Sequence, residues 1–388
     1  MVAAVAAVLA GSTDSTAARP PPAIGAQSSS GDQLLALWSR NGSADTRFPQ
    51  PTGGSFPSVS AIEPDGRGGW FLGGSFDSVG GIECSSLAHI VASGAVDRGW
   101  CPRPDDRVTL ISRAGGTLYV TGRFRKVDGS ARHGVAAISV RTGHVTSWQP
   151  KEGFDGDGLA TDTSTVFVVG GGHMAAFDRK SGRLRWKAVV NDRGCKSPGR
   201  GGCEAVIGAI LARGNSVYVA GSFRHVEGVK RIGLAALDAR CGRVLGWKAD
   251  LNEDAVVPDY DVPWQLAAAG STVYVGHSGL NSFDRIGGVP ADGFAALGAR
   301  TGAVRHWSPR LPRYEQGIDA FAASAPAFVA AYDYAESQYS DVFRTAVRLV
   351  DRMTGQKIRW THALPGEPFG IPLVRIAGGR VLINYYSR

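Results

Sequence analysis

The sequence lacks the long apolar runs and the amphipathic helical stretches that indicate membrane-spanning or helical proteins. No run approaches the roughly 20 apolar residues that a transmembrane helix requires. Charged residues are also scarce, at 20% of the chain, whereas 53 of the 388 residues are glycine. This balance is typical of an all-β protein with many turns, and it argues against a membrane-spanning chain.

Common catalytic and metal-binding motifs are also missing. The chain contains no G-x-S-x-G, H-E-x-x-H or P-loop motif, and its five cysteines include no C-x-x-C pair. The net charge of +8 comes from basic residues that are scattered along the chain, without a basic and aromatic platform. The composition therefore predicts no nucleic-acid partner, and it leaves an anionic polymer such as a polysaccharide open as an alternative to a simple solvated surface.

The chain does contain a repeated sequence motif. Two clear copies are LYVTGRFRKVDGSARHGVAAISVRTGHVTSWQP from Leu118 and VYVAGSFRHVEGVKRIGLAALDARCGRVLGWKA from Val217. Each copy has an alternating apolar strand, a polar loop, a small apolar strand, a turn of the Asp-x-x-x-Gly type with Ser139 in place of the aspartate in the first copy, and a last strand that ends on tryptophan. A further apolar run precedes the phrase, so each unit predicts four short antiparallel strands.

The closing tryptophans recur 38 to 61 residues apart, and four-stranded units of about this length indicate a β-propeller. They are Trp100, Trp148, Trp186, Trp247, Trp307 and Trp360, and we interpret them as packing anchors. The C-terminal end supplies only two strands, and Leu35–Leu37 with Phe48 match the missing outer half. We therefore predict seven blades, the last closed by pairing of Leu35–Leu37 with Val381–Ile383, which removes an open sheet edge.

The two ends of the chain also bear on its location. Residues 2–10 form a short apolar run, so we predict a degenerate signal peptide at 1–18, although no basic residue precedes the run. We predict a disordered linker at residues 19–33 and the propeller at residues 34–388. Cys195–Cys203 and Cys84–Cys101 are expected to be disulfides, with Cys241 free, which fits a secreted protein.

Loop lengths predict where a partner binds. The short turns 115–116, 141–143 and 300–302 emerge on one face of the ring, which we call the turn face. The long insertions 151–157, 190–204, 251–263, 310–317 and 334–343 fall on the other, the loop face. Binding and catalytic residues lie disproportionately on loops that a rigid scaffold holds in place. The candidate ligand-binding residues there are Arg123, Arg132, His133, Arg224, His225, Lys230, Arg231, Asp254, Asp259 and Trp264.

Two further sets of residues have competing interpretations. Asp155 and Asp157 are a weak candidate for calcium binding, since carboxylates are its preferred ligands, but a solvated turn explains them as well. Asp178, Asp238 and Asp351 recur at one turn position, where aspartate accepts hydrogen bonds from its own turn. We assign these three aspartates a structural role and expect no other cofactor.

Residues Tyr218–Ala249 resemble the repeat YVGGxFxxVxGxxRxxLAALDxxTGxxxxWxP of a family of secreted bacterial β-propellers. The resemblance implies a secreted propeller, and the family carries no established activity. AAFDRKSGRLRWKA, from Ala175, is more weakly similar to repeats of pyrroloquinoline-quinone dehydrogenases, which use adjacent cysteines and calcium; this chain has no adjacent cysteines. We predict a monomeric, non-catalytic binding or structural module with a protein or polysaccharide partner. The alternative is a quinoprotein-like or polysaccharide-active enzyme with its site at the channel mouth.

Overall fold

The protein is described by a computed structural model over residues 33–38, 44–45, 48–54, 57–150, 156–191, 205–252, 264–277, 285–291, 293–307, 315–324, 327–335, 343–352, 354, 356–363, 373–377 and 380–386. Within these ranges the chain forms β-strands and no helix, and nothing in them could cross a membrane as a helix.

The strands in chain order are β1 (Gln33–Trp38), β2 (Ala44–Asp45), β3 (Pro51–Thr52), β4 (Ser58–Pro64), β5 (Trp70–Ser75), β6 (Ser78–Val79), β7 (Ile82–Glu83), β8 (Leu87–Ile90), β9 (Val108–Ala114), β10 (Thr117–Gly122), β11 (Lys126–Val127), β12 (Ser130–Ala131), β13 (Val135–Ser139), β14 (Gly158–Thr161), β15 (Thr165–Gly170), β16 (His173–Asp178), β17 (Leu184–Asn191), β18 (Val206–Arg213), β19 (Ser216–Ser222), β20 (His225–Val226), β21 (Val229–Lys230), β22 (Leu234–Asp238), β23 (Trp264–Ala269), β24 (Thr272–His277), β25 (Arg285–Ile286), β26 (Val289–Pro290), β27 (Phe294–Gly298), β28 (Val304–Arg305), β29 (Glu315–Ala323), β30 (Ala327–Ala335), β31 (Phe343–Asp351), β32 (Lys357–Ala363), β33 (Leu373–Ala377) and β34 (Arg380–Tyr386).

These strands make the all-β propeller that the repeat predicts. Its sheets, numbered as blades 1 to 7, are β4-β5-β8, β9-β10-β13, β14-β15-β16-β17, β18-β19-β22, β23-β24-β27-β28, β29-β30-β31-β32 and β33-β34-β1-β2. Blades 1, 2 and 4 differ from the predicted four strands, because their outermost strand is reduced to a single bridge: Ile90 to Val96, Ile138 to Val145, and Leu237 to Val244.

The innermost strands contact one another in sequence, β4 with β9, then β14, β18, β23, β29, β33 and again β4. The two ends of the described chain meet in blade 7, where β1 lies antiparallel to β34 with Leu35 opposite Asn384 and Leu37 opposite Leu382. The predicted pairing of the terminal strands is therefore present, and these contacts favour a ring of seven blades.

The core lies between the blades, where large side chains of one sheet meet small ones of its neighbours. Second strands carry a buried aromatic residue, such as Phe71, Tyr119 or Tyr218, while third strands carry alanines such as Ala136 and Ala236. All six residues of β15 are buried, because a neighbouring blade covers each face of this central strand. Facing sheets pack well when large and small residues interdigitate in this way.

The closing tryptophans join each blade to the next, which confirms the prediction that they are packing anchors. The indole Nε1 donates to a backbone carbonyl of the following blade in four cases: Trp100 to Ser139, Trp148 to Asp178, Trp186 to Ala239 and Trp247 to Gly298, at 2.9–3.1 Å. All four rings are at least 92% buried. The Trp360 side chain lies outside the described residues.

The recurring turn aspartates are structural, as predicted. Oδ1 of Asp178 accepts from the backbone nitrogens of Lys180 and Ser181, Oδ1 of Asp238 from Arg240, and Oδ1 of Asp351 from Thr354. Asp178 also pairs with Arg185 across 2.6 Å. That side-chain bond, together with the turn donors, holds the pKa of Asp178 well below its usual range.

Candidate functional site

The loop face carries small hairpins where the sequence predicts a polar loop. The connection between the second and third strands folds as β6–β7 in blade 1, β11–β12 in blade 2, β20–β21 in blade 4 and β25–β26 in blade 5. We call these four elements the rim hairpins. Their turns follow a buried valine or isoleucine, and in blades 2 and 4 the turn residues Asp128-Gly129 and Glu227-Gly228 all have positive φ. Such turns match the twist of a two-residue hairpin.

Each rim hairpin is also bonded to the chain segment that arrives from the preceding blade. β3 pairs with β6, and Val190 and Asn191 at the end of β17 pair with β20. Single bridges join Pro104 to Val127 and Leu251 to Ile286. Each rim hairpin is therefore held by backbone hydrogen bonds within the hairpin and to the preceding chain segment. These bonds fix the backbone on which the exposed rim residues lie.

The basic rim hairpin of blade 2 is fixed by one carboxylate. Oδ1 of Asp105 accepts hydrogen bonds from the backbone nitrogens of Arg125, at 2.8 Å, and Lys126, at 2.9 Å. Desolvation opposes ionisation of Asp105, but these two N–H donors outweigh it and lower its pKa. The side chains of Arg125 and Lys126 are exposed beside it. The carboxylate thus shapes a loop that presents two cations.

The rim hairpin of blade 4 combines charge with apolar surface. The Glu227 carboxylate accepts from the backbone nitrogen of Val189, and the Glu227 nitrogen donates to the Val189 carbonyl at 2.9 Å. Val189 and Val229 are 43% and 41% exposed. Lys230 is exposed on the same hairpin. Exposed valines beside charged residues suit a surface that contacts another molecule.

Two of the predicted ligand-binding arginines support the scaffold. Arg132 donates from Nη2 to the Thr146 carbonyl, and Arg231 donates in the equivalent way to the Leu245 carbonyl, both at 2.8 Å or less. Arg231 is only 7% exposed. Each guanidinium group therefore links the end of its polar loop to the outermost segment of the same blade. The two arginines occupy equivalent positions in two copies of the repeat, and so they make the same structural contact.

The remaining predicted site residues do not gather at one point. Arg123 and His133 are exposed in blade 2, whereas Arg224 and His225 are partly buried in blade 4. Trp264 begins the innermost strand of blade 5, is 9% exposed, and packs on His277 with ring centroids 4.4 Å apart. Asp254 and Asp259 lie outside the described residues, as do Cys195 and Cys203.

The candidate metal and cysteine sites have separate outcomes. Asp157 is exposed and Asp155 lies outside the described residues. Over the described part of the chain, no three histidine, cysteine or carboxylate side chains converge to hold a metal. Cys84 and Cys101 form the predicted disulfide, and Cys241 is free and exposed. These cysteines do not fit the adjacent pair of quinoprotein dehydrogenases, and we derive no step through a quinone cofactor.

A buried histidine with two carboxylates was not predicted from the sequence. In blade 1, Nδ1 of His89 lies 3.0 Å from Asp97 Oδ2, and Nε2 lies 3.3 Å from Asp65 Oδ2. The ring is 9% exposed and stacks on Phe71. Desolvation acts against ionisation of Asp65, but turn N–H donors and His89 lower its pKa. The sequence did contain a signal for this site: the equivalent strands of blades 2 and 4 have alanine where blade 1 has His89.

Charged residues on the innermost strands connect blade 7 to blade 1 and blade 1 to blade 2. Arg375 of β33 donates to the carbonyls of Ile62 and Val374, and Glu63 of β4 accepts weakly from the Arg113 nitrogen at 3.4 Å. Burial raises the pKa of Glu63, while Arg375 acts against that rise. Burial also lowers the pKa of Arg375. The Arg375 bond to Ile62 links blade 7 to blade 1, and the Glu63 bond to Arg113 links blade 1 to blade 2.

Comparisons with solved structures show limited likeness. Quinohemoprotein alcohol dehydrogenase from Comamonas testosteroni is 13% identical, with a TM-score of 0.45, over 86% of this chain and 63% of that one. The extracellular domain of the putative one-component system BT4673 from B. thetaiotaomicron is 11% identical, with a TM-score of 0.48, over 87% of this chain and 40% of that one. The chain thus spans less than two thirds of either neighbour, and no curated protein matches it.

A family model provides the assignment. The model described as "Outer membrane protein assembly factor BamB", a family of propeller repeats of the quinoprotein type, matches residues 131–383. The match begins in blade 2 and ends within β34 of blade 7, so it covers well over half of the 388 residues. Because the match covers more than half of the chain, the chain belongs to this BamB family of β-propellers.

Proposed function

We propose that the protein is a non-catalytic, seven-bladed binding module outside the cytoplasm, and that its loop face engages a protein or polysaccharide partner. The observation that carries this proposal is the rim: four hairpins on one face, each hydrogen-bonded to the preceding blade. A surface that is already ordered loses little conformational entropy on binding, which favours affinity.

The chemistry of the rim supports a partner of mixed polarity. Arg125, Lys126 and Lys230 are exposed there together with Asp128 and Glu227. The two exposed valines beside β20–β21, Val189 and Val229, add an apolar contact. Opposite charges within one surface suit a protein better than a uniformly charged polymer, because complementary charges set register and exclude wrong partners.

Two observations support a location outside the cytoplasm. The Cys84–Cys101 disulfide fits an oxidising environment, since such bonds are rare in the cytosol. The family description names an outer membrane protein assembly factor, which supports a role in the cell envelope. A secreted or envelope-attached binding module is consistent with both.

The proposal is tested by photo-crosslinking in the cell envelope. A photoreactive residue is placed at Arg125 or Val229 on the loop face, and as a matched control at Arg67 or Ser93 in the turns of blade 1 on the turn face, outside blades 2 to 5. We expect defined adducts from the loop-face positions and, with the photoreactive residue at Val229, about tenfold weaker yields after the double change Arg125→Glu and Lys126→Glu. Adducts that form only from the turn-face positions would show that the face assignment is wrong.

The same preparations address the enzyme alternative. Purified protein is incubated with polysaccharides and, separately, with alcohols and an electron-acceptor dye. We expect no released sugar ends and no dye reduction above the level of heat-denatured protein. Turnover that disappears on Glu63→Gln, with folding intact, would replace the proposed binding role by catalysis at the innermost strands.

A further inference from the structure

The turn face holds a cavity that no predicted site residue lines. It lies in the seam between blades 2 and 3 and has a volume of about 360 Å³. Its lining includes Gly115, Gly116, Thr117, Ser147, Arg179 and Lys180. A volume of this size falls within the range of small-molecule sites and is large enough for a sugar residue.

The wall of the cavity is rigid. Tyr119 and Trp148 pack edge to face there, with ring centroids 5.0 Å apart. Their polar atoms are already used, because the Tyr119 hydroxyl donates to the Arg179 carbonyl and the Trp148 indole to the Asp178 carbonyl, both at 3.0 Å. Arg179 Nη1 donates across the seam to the Ala114 carbonyl at 2.9 Å. The cavity therefore needs no rearrangement of its wall to accept a ligand.

The positive charge in the cavity is not neutralised nearby. The Asp178 carboxylate, at the start of the same turn, is occupied by Arg185, by two backbone nitrogens and by the Ser181 hydroxyl. The exposed Lys180 ammonium group has no hydrogen-bond or ion-pair partner among the described residues. An anionic group could therefore bind Lys180 and the remaining N–H groups of Arg179 without displacing a carboxylate.

The charge continues beyond the cavity along the same face. The turns between third and fourth strands in blades 2 to 5 expose further arginines: Arg141, Arg183, Arg240, Arg243 and Arg300. The Asp238 carboxylate, which lies among them, accepts from its own turn. We call this row of cations the basic arc. A surface with an excess of one charge sign raises the local concentration of an oppositely charged partner.

We propose that the cavity between blades 2 and 3 binds an acidic sugar residue of an anionic polysaccharide, and that the basic arc contacts the polymer that extends from it. The acid group lies beside Lys180 and Arg179, and the sugar hydroxyls meet Thr117, Ser147 and the peptide groups of Gly115 and Gly116. A glycine-walled site with hydroxyl groups suits a polar sugar. The site is on the opposite face from the rim and does not depend on the rim's partner.

Binding is measured by titration calorimetry with three soluble chains of similar length: an oligogalacturonate, a phosphorylated dextran and neutral dextran. We expect the protein to bind at least one acidic chain and not neutral dextran, with affinity falling as salt rises. The carboxylate and phosphate probes distinguish the two sources of acid. Failure of both acidic chains to bind, or equal binding of neutral dextran, overturns the proposal.

Two variants locate the site. Lys180→Glu should weaken binding by about tenfold or more, as expected for loss of one charge-assisted contact. Gly116→Trp should abolish it, since a Cβ at Gly116 meets nothing within 4 Å and the new ring fills the cavity. Lys187→Glu is the matched control: it makes the same charge change at an exposed position on β17, the outermost strand of blade 3, which belongs to neither the rim nor the basic arc, and it should change the dissociation constant less than about twofold. Equal weakening by Lys187→Glu shows non-specific attraction and refutes the site. Unchanged thermal midpoints of the variants show that folding is intact.

Discussion

Replacement of single tryptophans by phenylalanine separates the hydrogen bond of the anchors from their bulk. Trp247 is 3% exposed and donates to the Gly298 carbonyl of the next blade at 2.9 Å. Trp307 packs in a similar way on Tyr274 and Phe328, but its buried indole nitrogen has no acceptor among the described residues. The two positions therefore differ in whether the indole N–H is bonded to a described residue and, to a lesser degree, in the burial of the ring, because Trp307 is only partly buried.

The expected difference follows from these contacts. Trp247→Phe loses a hydrogen bond worth about 1 kcal/mol net, and the Gly298 carbonyl keeps a second donor, the Gly302 nitrogen, at 2.8 Å. Trp307→Phe loses no hydrogen bond to a described residue and removes a buried N–H that has no acceptor among these residues, which relieves about 1–3 kcal/mol. The loss of ring size is common to both. Trp247→Phe should therefore destabilise the protein by about 2–4 kcal/mol more than Trp307→Phe.

The measurement is equilibrium unfolding in urea, followed by circular dichroism, with the slope of each transition compared with that of the unmodified protein. Trp148→Phe serves as a second bonded position, because its indole donates to the Asp178 carbonyl at 3.0 Å. It should behave like Trp247→Phe. If all three variants lose the same free energy of unfolding, the inter-blade hydrogen bond is not what distinguishes these anchors.

Three further changes have defined outcomes. Cys101→Ser opens the Cys84–Cys101 disulfide, whose partners are 17 residues apart, and should lower the free energy of unfolding by about 3 kcal/mol in denaturant titrations without reductant. Asp105→Ala removes the acceptor of two backbone N–H groups, so amide exchange at Arg125 and Lys126 should accelerate while exchange in β13 stays unchanged; faster exchange throughout the blade would mean a general loss of stability. The pKa of Asp178 is lowered in the folded protein, so its stabilising contribution is complete above the unfolded pKa of about 4 and is lost as pH falls below it. Asp178→Asn should therefore reduce the fall in the free energy of unfolding between neutral and acid pH. An unchanged pH dependence would contradict this assignment.

Much of the fold could be predicted because its signals are local. The alternation around Val217–Val219 indicates β19, and the recurring Asp-x-x-x-Gly turn places the aspartate where its carboxylate meets its own backbone. The pairing of Leu35–Leu37 with the C-terminal strand was also predictable, because a repeat that is split between the two ends can be completed in one register. The Cys84–Cys101 bridge followed from the positions of both cysteines within one repeat.

The rim hairpins were not predicted because two-residue strands are too short to show a period and their partners come from another blade. The V-D-G and V-E-G turns at Val127 and Val226 were the available local signal. The basic arc was missed for a different reason. Its arginines are far apart along the chain, and only the rotation from blade to blade places them on one face. The role of Arg231 likewise depends on the distant Leu245 carbonyl, which no local pattern reveals.

The pairing of β1 with β34 has a consequence for how the protein is made. β34 leaves the ribosome long after β1, so the edge of β1 that pairs with β34 stays open while the intervening blades form. Loop closure over so much chain is entropically costly and slow, and an open edge invites aggregation in that interval. The same geometry works as a check on completeness, because a chain that stops before β34 leaves β1 without its partner on that side. Such a product keeps an exposed edge, and a chaperone or protease can distinguish it from a finished ring.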